Sequence, residues 1–167
     1  FEEAVTAANK AVFEESASHV EYEGMGTTVV ACTLEENTLY IANIGDSRLY
    51  LIRDGIEQIT DDHSLVEEMV KQGNITESEA RIHPQKNIIT RALGINEEVQ
   101  ADFFEIDVEQ GDVIMLCSDG LSNMIEDEDM EYIVKNSDTL QTAAESLVAR
   151  ANENGGNDNI TVVLAEV

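Results

Sequence analysis

Three β-rich runs follow one another between Thr27 and Arg53: Thr27-Thr-Val-Val-Ala-Cys-Thr-Leu, Thr38-Leu-Tyr-Ile-Ala-Asn-Ile and Arg48-Leu-Tyr-Leu-Ile-Arg. Turn-forming residues bound them at Glu36-Asn37, Gly45-Asp46 and Asp54-Gly55. β-Branched and aromatic side chains suit a pleated backbone. Connections this short join antiparallel neighbours, because a parallel crossover takes roughly a dozen residues or more. The segment therefore predicts an antiparallel meander, and the rest of the chain has to be arranged around it.

Ahead of the meander, Phe1 to about Ser18 carries Ala4, Val5, Ala8, Ala11, Val12 and Ala17 at helical spacing, with glutamates on the other face. This reads as an amphipathic helix whose apolar side needs a sheet to cover. Behind it, Asp61 to Lys86 is polar and less periodic, with helix-like pieces at Leu65–Gln72 and Thr76–Ile82, and reads as an excursion from the sheet. Strand signals return at Ile88-Ile89, Ala101–Ile106 and Val113–Cys117. Helical pattern resumes near Asp127–Val134 and again at Leu140–Asn152, with Ser137 or Asp138 as N-cap and Gly155-Gly156 as terminator. A last β-branched run, Ile160–Ala165, predicts a buried strand. The expected class is α+β, with helices covering antiparallel sheets in a single domain.

Charge narrows the partners. The 167 residues hold 9 Lys+Arg against 35 Asp+Glu, a formal net charge of −26. A field of that sign repels phosphate backbones and argues against nucleic acid as a partner. No apolar run approaches the ~18 residues of a membrane span. Cys32 and Cys117 each sit in an apolar stretch, which predicts free thiols and a cytoplasmic location.

Three aspartates stand where a purely solvated carboxylate would be poorly placed. Asp46 lies in Ile44-Gly-Asp-Ser-Arg, Asp119 in Cys117-Ser-Asp-Gly-Leu after an apolar strand, and Asp158 in Gly156-Asn-Asp-Asn-Ile before one. A carboxylate at a strand end beside glycine can project into a cleft while the backbone turns away. Convergence of such ends makes an all-oxygen site of the kind Mg²⁺, Mn²⁺ or Ca²⁺ takes. Taken singly, each is equally a turn or capping aspartate. His19, His63 and His83 are scattered and read as surface or internally satisfied residues. Ser118 lacks the Gly-x-Ser-x-Gly elbow of an acyl-transfer nucleophile, and Gly24-Met-Gly-Thr-Thr lacks the lysine of a phosphate loop.

In order, Gly24-Met-Gly-Thr-Thr, Ala42-Asn-Ile-Gly-Asp-Ser-Arg-Leu-Tyr, Thr60-Asp-Asp-His-Ser-Leu-Val, Ile89-Thr-Arg-Ala-Leu-Gly, Leu116-Cys-Ser-Asp-Gly-Leu and Asn157-Asp-Asn-Ile-Thr resemble consecutive motifs of the protein phosphatase 2C family in its bacterial form. These are metal-dependent Ser/Thr protein phosphatases. The resemblance implies an α-β-β-α sandwich of two antiparallel sheets with a metal cleft, and makes 61–86 a flap. It implies Asp119 and Asp158 as ligands of a binuclear Mn²⁺ or Mg²⁺ centre, and Asp46, with Asp119, as a holder of a third ion. Ser118, Gly120 and Asn159 become neighbours that orient those ligands. The implied reaction is hydrolysis of phosphoserine or phosphothreonine by metal-activated water, without a phospho-enzyme. Its substrates would be proteins phosphorylated by a Ser/Thr kinase.

The family's Arg-acidic block and its Asp-Gly-x-Gly-Gly block have no counterpart here, and Glu23-Gly-Met-Gly does not replace them. The expectation is therefore roughly the C-terminal two-thirds of a phosphatase domain, without its N-terminal strands. It would have no catalytic group beyond the metal ligands, little or no turnover alone, and open sheet edges suited to self-association. The alternative is a non-catalytic pseudophosphatase or regulatory interaction module. Arg81, His83 and Lys86, with Arg91 nearby, are candidates for phosphate or partner contact at the end of the flap.

Overall fold

A computed structural model describes residues 1–167. In chain order it contains α1 (Glu2–Ser18), a 3-10 turn (Val20–Tyr22), β1 (Val29–Glu35), β2 (Thr38–Ile44), β3 (Arg48–Ile52) and β4 (Ile56–Gln58). Then come α2 (Leu65–Lys71), α3 (Glu77–Arg81), β5 (Asp102–Asp107), β6 (Val113–Cys117), α4 (Asp119–Ser122), α5 (Asp127–Lys135), α6 (Leu140–Glu153) and β7 (Val162–Glu166). The strands form two sheets, ordered β1-β2-β5 and β4-β3-β6-β7. The expected class, α+β with two antiparallel sheets and flanking helices, is the one observed.

The meander is corrected in one respect. β1 and β2 are neighbours, but β3 belongs to the other sheet. A short connection dictates the direction of the next strand and not its sheet. Here Gly45, at φ 106°, turns the chain out of β2. β3 then takes β4 and β6 as antiparallel neighbours, with Tyr50 opposite Gln58 on one side and Met115 on the other. Leu49, Tyr50, Leu51 and Ile52 are all buried, so both faces of β3 are covered, as befits a central strand.

Two compact units can be distinguished. The first comprises Phe1–Cys32, Tyr40–Asp46 and Asp61–Phe104. In it α1 packs Val5 and Val12 against Ala42, Ile44 and Leu93. The stripe α1 buries is narrower than its alanines suggest: Ala4, Ala8 and Ala11 stay exposed, while Asn9 is buried between Val5 and Val12. Asn9 replaces apolar packing with hydrogen bonds, its Nδ2 donating to the carbonyls of Asn96 and Glu97 and its Oδ1 accepting from Gly94 N–H. Within 61–86, Ser64 caps α2 and a Thr76–Glu79 capping box starts α3. Ile88-Ile89 is not a strand but a single bridge from Ile89 to Ser64. Two backbone bonds make that bridge, Leu65 N–H to Ile88 O and Thr90 N–H to His63 O, and pairing goes no further.

The second unit comprises Thr33–Leu39, Ser47–Thr60 and Glu105–Val167. Its core joins Tyr50, Ile52, Met115 and Cys117 of the four-stranded sheet to Leu121, Met130, Val134, Leu147 and Ala151 of α4 to α6. The N-cap of α6 is Thr139, whose side chain accepts from Thr142 N–H, rather than Ser137 or Asp138. Ser137 donates instead to Ile133 O at the end of α5, which removes it from the capping role. Arg53 grips Asp112 with two bonds, Nε to Oδ1 at 2.8 Å and Nη2 to Oδ2 at 2.7 Å. Cys32 and Cys117 are free; Cys117 is buried, whereas Cys32 is only half-buried.

Candidate functional site

β6 delivers the chain to Ser118, and the loop before β7 runs alongside. Ser118 joins the two. Its N–H donates to Thr161 O at 3.1 Å. Its Oγ donates to Asn159 O and accepts from Thr161 N–H, each at 3.0 Å. At the next turn the backbones come closer still: a Cβ on Gly120 would lie 2.3 Å from Asn159 O and 2.9 Å from the Asn159 carbonyl carbon. Only glycine lets the Asp119 and Asp158 turns approach this far.

The two carboxylates are thus presented from facing turns. Asp119 Oδ2 accepts from Asn123 Nδ2 at 3.2 Å, and Asp158 Oδ1 accepts from Asn159 N–H at 2.7 Å. Asp119 is half-buried and Asp158 exposed. Two carboxylates carried on backbone brought together through a glycine make a hard-oxygen donor set, which fits Mg²⁺ or Mn²⁺. No group of three or more His, Cys, Asp or Glu side chains lies at metal-ligand spacing. The structure therefore brings together the turns of Asp119 and Asp158, with Ser118, Gly120 and Asn159 between them, and does not gather a ready three-carboxylate cluster.

In the first unit Asp46 follows Gly45, whose backbone is held on both sides. Gly45 N–H donates to His63 Nδ1 at 3.1 Å. Gly45 O accepts from His63 N–H at 2.9 Å and from Asn43 Nδ2 at 3.3 Å. Asn43 Nδ2 also donates to Asp61 O at 2.9 Å, while Asn43 Oδ1 is buried with no partner in the chain. His63 is 5% exposed, an internally satisfied histidine as its sequence context suggested. Because Gly45 N–H can only donate, Nδ1 is the bare nitrogen and the proton sits on Nε2, which donates to Asp102 Oδ2 at 3.1 Å. Arg91 Nη1 donates to Asp102 Oδ1 at 2.7 Å. Arg91 Nη1 is also 3.1 Å from His63 Nε2, a close approach of two donors that share one carboxylate. Burial works to raise the Asp102 pKa, but the bonds from His63 and Arg91 outweigh it and hold the carboxyl below its usual range.

The flap residues are less organised. Arg81 closes α3, and Arg81, His83 and Lys86 are each half-buried. His83 Nδ1 accepts from Gln85 N–H, and Arg91, the fourth basic residue of this stretch, is paired with Asp102. His63 and Asn43 are the residues that sequence reasoning passed over. Both lie inside quoted motifs, but nothing local marks their meeting at Gly45.

A family model described as protein phosphatase 2C matches residues 1–165. The serine/threonine phosphatase stp of Listeria monocytogenes serotype 4b (strain F2365) is 44% identical over 159 residues, covering 95% of this chain and 63% of that protein. The chain thus spans less than two-thirds of that relative's length. The crystal structure of the serine/threonine phosphatase Stp1 from Staphylococcus aureus superposes with a TM-score of 0.94 at 37% identity, covering 98% of this chain and 65% of that one. The catalytic domain of the serine threonine protein phosphatase PstP, crystallised with 2 manganese ions, superposes with a TM-score of 0.89 at 38% identity, covering 98% and 68%.

Proposed function

The chain belongs to the protein phosphatase 2C family, and on that footing we propose that it is part of a metal-dependent protein serine/threonine phosphatase acting on phosphoproteins. One observation in the molecule carries the reading: the glycine-dependent approach of the backbone turns that carry Asp119 and Asp158. Asp119 and Asp158 are the ligands of a Mn²⁺ or Mg²⁺ centre, and Asp46 is a further ligand. Divalent ions bound there supply Lewis acidity toward a phosphoryl oxygen and make water more acidic. The protein's own part is to fix the carboxylates. Ser118 and Asn159 hold the two turns in register, and Asn123 orients Asp119.

The 167 residues alone have little or no turnover, because the family's Asp-Gly-x-Gly-Gly block, a source of further metal ligands, has no match in them. The substrates are proteins phosphorylated by a Ser/Thr kinase, met in the cytoplasm, with Arg81, His83 and Lys86 contacting phosphate or partner. No helix is long and apolar enough to cross a membrane. Edge strands β1 and β7 expose Leu34 and Val163, which supports self-association. Phosphopeptide hydrolysis with Mn²⁺ tests the reading, comparing this chain with a polypeptide that also supplies the upstream block. Activity is expected only in the longer form; equal rates refute the inactivity of the shorter one, and no activity in either refutes the phosphatase assignment. In the longer form, replacing Arg81 and Lys86 with alanine is expected to raise KM for phosphoproteins.

The absence of a ready three-carboxylate cluster favours a second reading, a non-catalytic interaction module. It predicts that the longer form binds phosphoproteins without releasing phosphate.

A further inference from the structure

We infer that His63 is the positioning residue for Asp46. The inference rests on the reading of Asp46 as a metal ligand and adds what places it. Three bonds fix the peptide planes on either side of Gly45: its N–H to His63 Nδ1, its carbonyl from His63 N–H, and the same carbonyl from Asn43 Nδ2. The carbonyl belongs to the peptide unit that carries Asp46, so its orientation sets the direction in which Asp46 leaves the backbone. Packing also constrains Gly45. At φ 106° its conformation suits only glycine, and a Cβ there would lie 2.3 Å from Thr28 Cγ2.

The imidazole is itself braced. Asp102 accepts a hydrogen bond from Nε2–H, which leaves the Nδ1 lone pair aimed at Gly45, and Arg91 pins the other oxygen of Asp102. His63, Arg91 and Asp102 all come from the segment that follows the excursion's start at Asp61. The position of the Asp46 turn is therefore set by Asn43 beside it and by residues far from it in sequence. Removing an outer partner of a metal ligand ordinarily weakens metal affinity by about 10- to 100-fold.

Two amide substitutions separate this role from general support. In His63→Asn the amide oxygen can occupy the place of Nδ1 and accept from Gly45 N–H. In His63→Gln the amide reaches the place of Nε2 and leaves Gly45 N–H without its acceptor. A merely structural role predicts the opposite order, because glutamine is closer to histidine in volume and asparagine leaves the larger cavity. Hydrogen exchange at the Gly45 amide and binding of Mn²⁺ alone are measured on the whole chain, with Asp46→Asn as control. His63→Asn is expected to stay within about threefold of wild type in both, whereas His63→Gln exchanges at Gly45, and releases Mn²⁺ from the Asp46-dependent site, about tenfold more readily. Equal behaviour of the two folded variants overturns the inference. If His63→Gln does not fold, Asp102→Ala frees the ring instead, and wild-type exchange and affinity in that variant overturn it likewise. Unchanged Mn²⁺ binding in Asp46→Asn overturns the ligand reading, with Gly45 exchange still deciding whether His63 holds the turn.

Discussion

At Gly120 two backbones are in direct contact and one side chain, Ser118, ties them, whereas at Gly45 a single backbone bond from His63 is joined by the side chains of His63 and Asn43. Both turns present an aspartate beside a glycine with no room for a methyl group, so in sequence they look alike. The Gly120 turn leans on Asn159, which leads into β7, itself the neighbour of β6. Its geometry follows from the pairing of two strands over an apolar core. The Gly45 turn depends on His63, Asn43, Asp102 and Arg91, a polar network in which each member orients the next. The first turn rests on strand pairing and one tying side chain, Ser118, and the second on a network of several, which makes it adjustable through each of them.

The largest effect should come from Gly120→Ala. The obstructing atom is a carbonyl oxygen, so trimming a side chain cannot relieve it, and the Asp119 and Asp158 turns must separate. A loss of about 3 kcal/mol is expected in denaturant unfolding. Gly45→Ala should cost slightly less, about 2 kcal/mol, and should respond to a second change. The nearest obstruction is Thr28 Cγ2 at 2.3 Å, a methyl group that serine lacks, while Thr28 Cβ at 2.7 Å stays in serine, so Thr28→Ser is expected to restore part of the loss. If Thr28→Ser fails to help Gly45→Ala, the contrast between the two turns is wrong.

A third variant separates both turns from general stability. Asp112 is 2% exposed and accepts three bonds, two from Arg53 and one from Glu109 N–H. Asp112→Ala should cost on the order of 2 kcal/mol, with Mn²⁺ affinity unchanged. The Arg53 guanidinium, working against burial, holds the Asp112 carboxyl below the usual range. Its stabilisation is therefore full above the unfolded value of about 3.9 and is lost as pH falls through the lower folded-state value. Acid unfolding of Asp112→Ala should show less pH dependence in that window than wild type, which an acid titration followed by circular dichroism would measure.

Much of the second unit was legible because its information is local. Val113–Cys117 announces a buried strand, and a carboxylate with glycine at such an end stands out; the run after Asp158 announces a strand too, but β7 lies at the sheet edge with no residue fully buried, because β-branched content marks a strand and not its place in the sheet. What escaped was set by partners distant in the chain. Gly45 and His63 are 18 residues apart and Arg53 and Asp112 are 59 apart, and no periodicity links either pair. The departure of β3 from the meander was hidden for a related reason: a three-residue connection looks the same whether the next strand stays in the sheet or leaves it. The N-cap of α6 moved to Thr139 because Ser137 finds a nearer acceptor at the end of α5.

We propose that the Asp119 and Asp158 turns, brought together at Gly120, form a divalent metal site. Titration of the chain with Mn²⁺, compared with its Asp119→Asn variant, tests this most directly. The account predicts saturable binding in the wild-type chain that is abolished, or weakened by about 10-fold or more, when the Asp119 carboxylate becomes an amide. Equal Mn²⁺ affinity in the folded variant would contradict it.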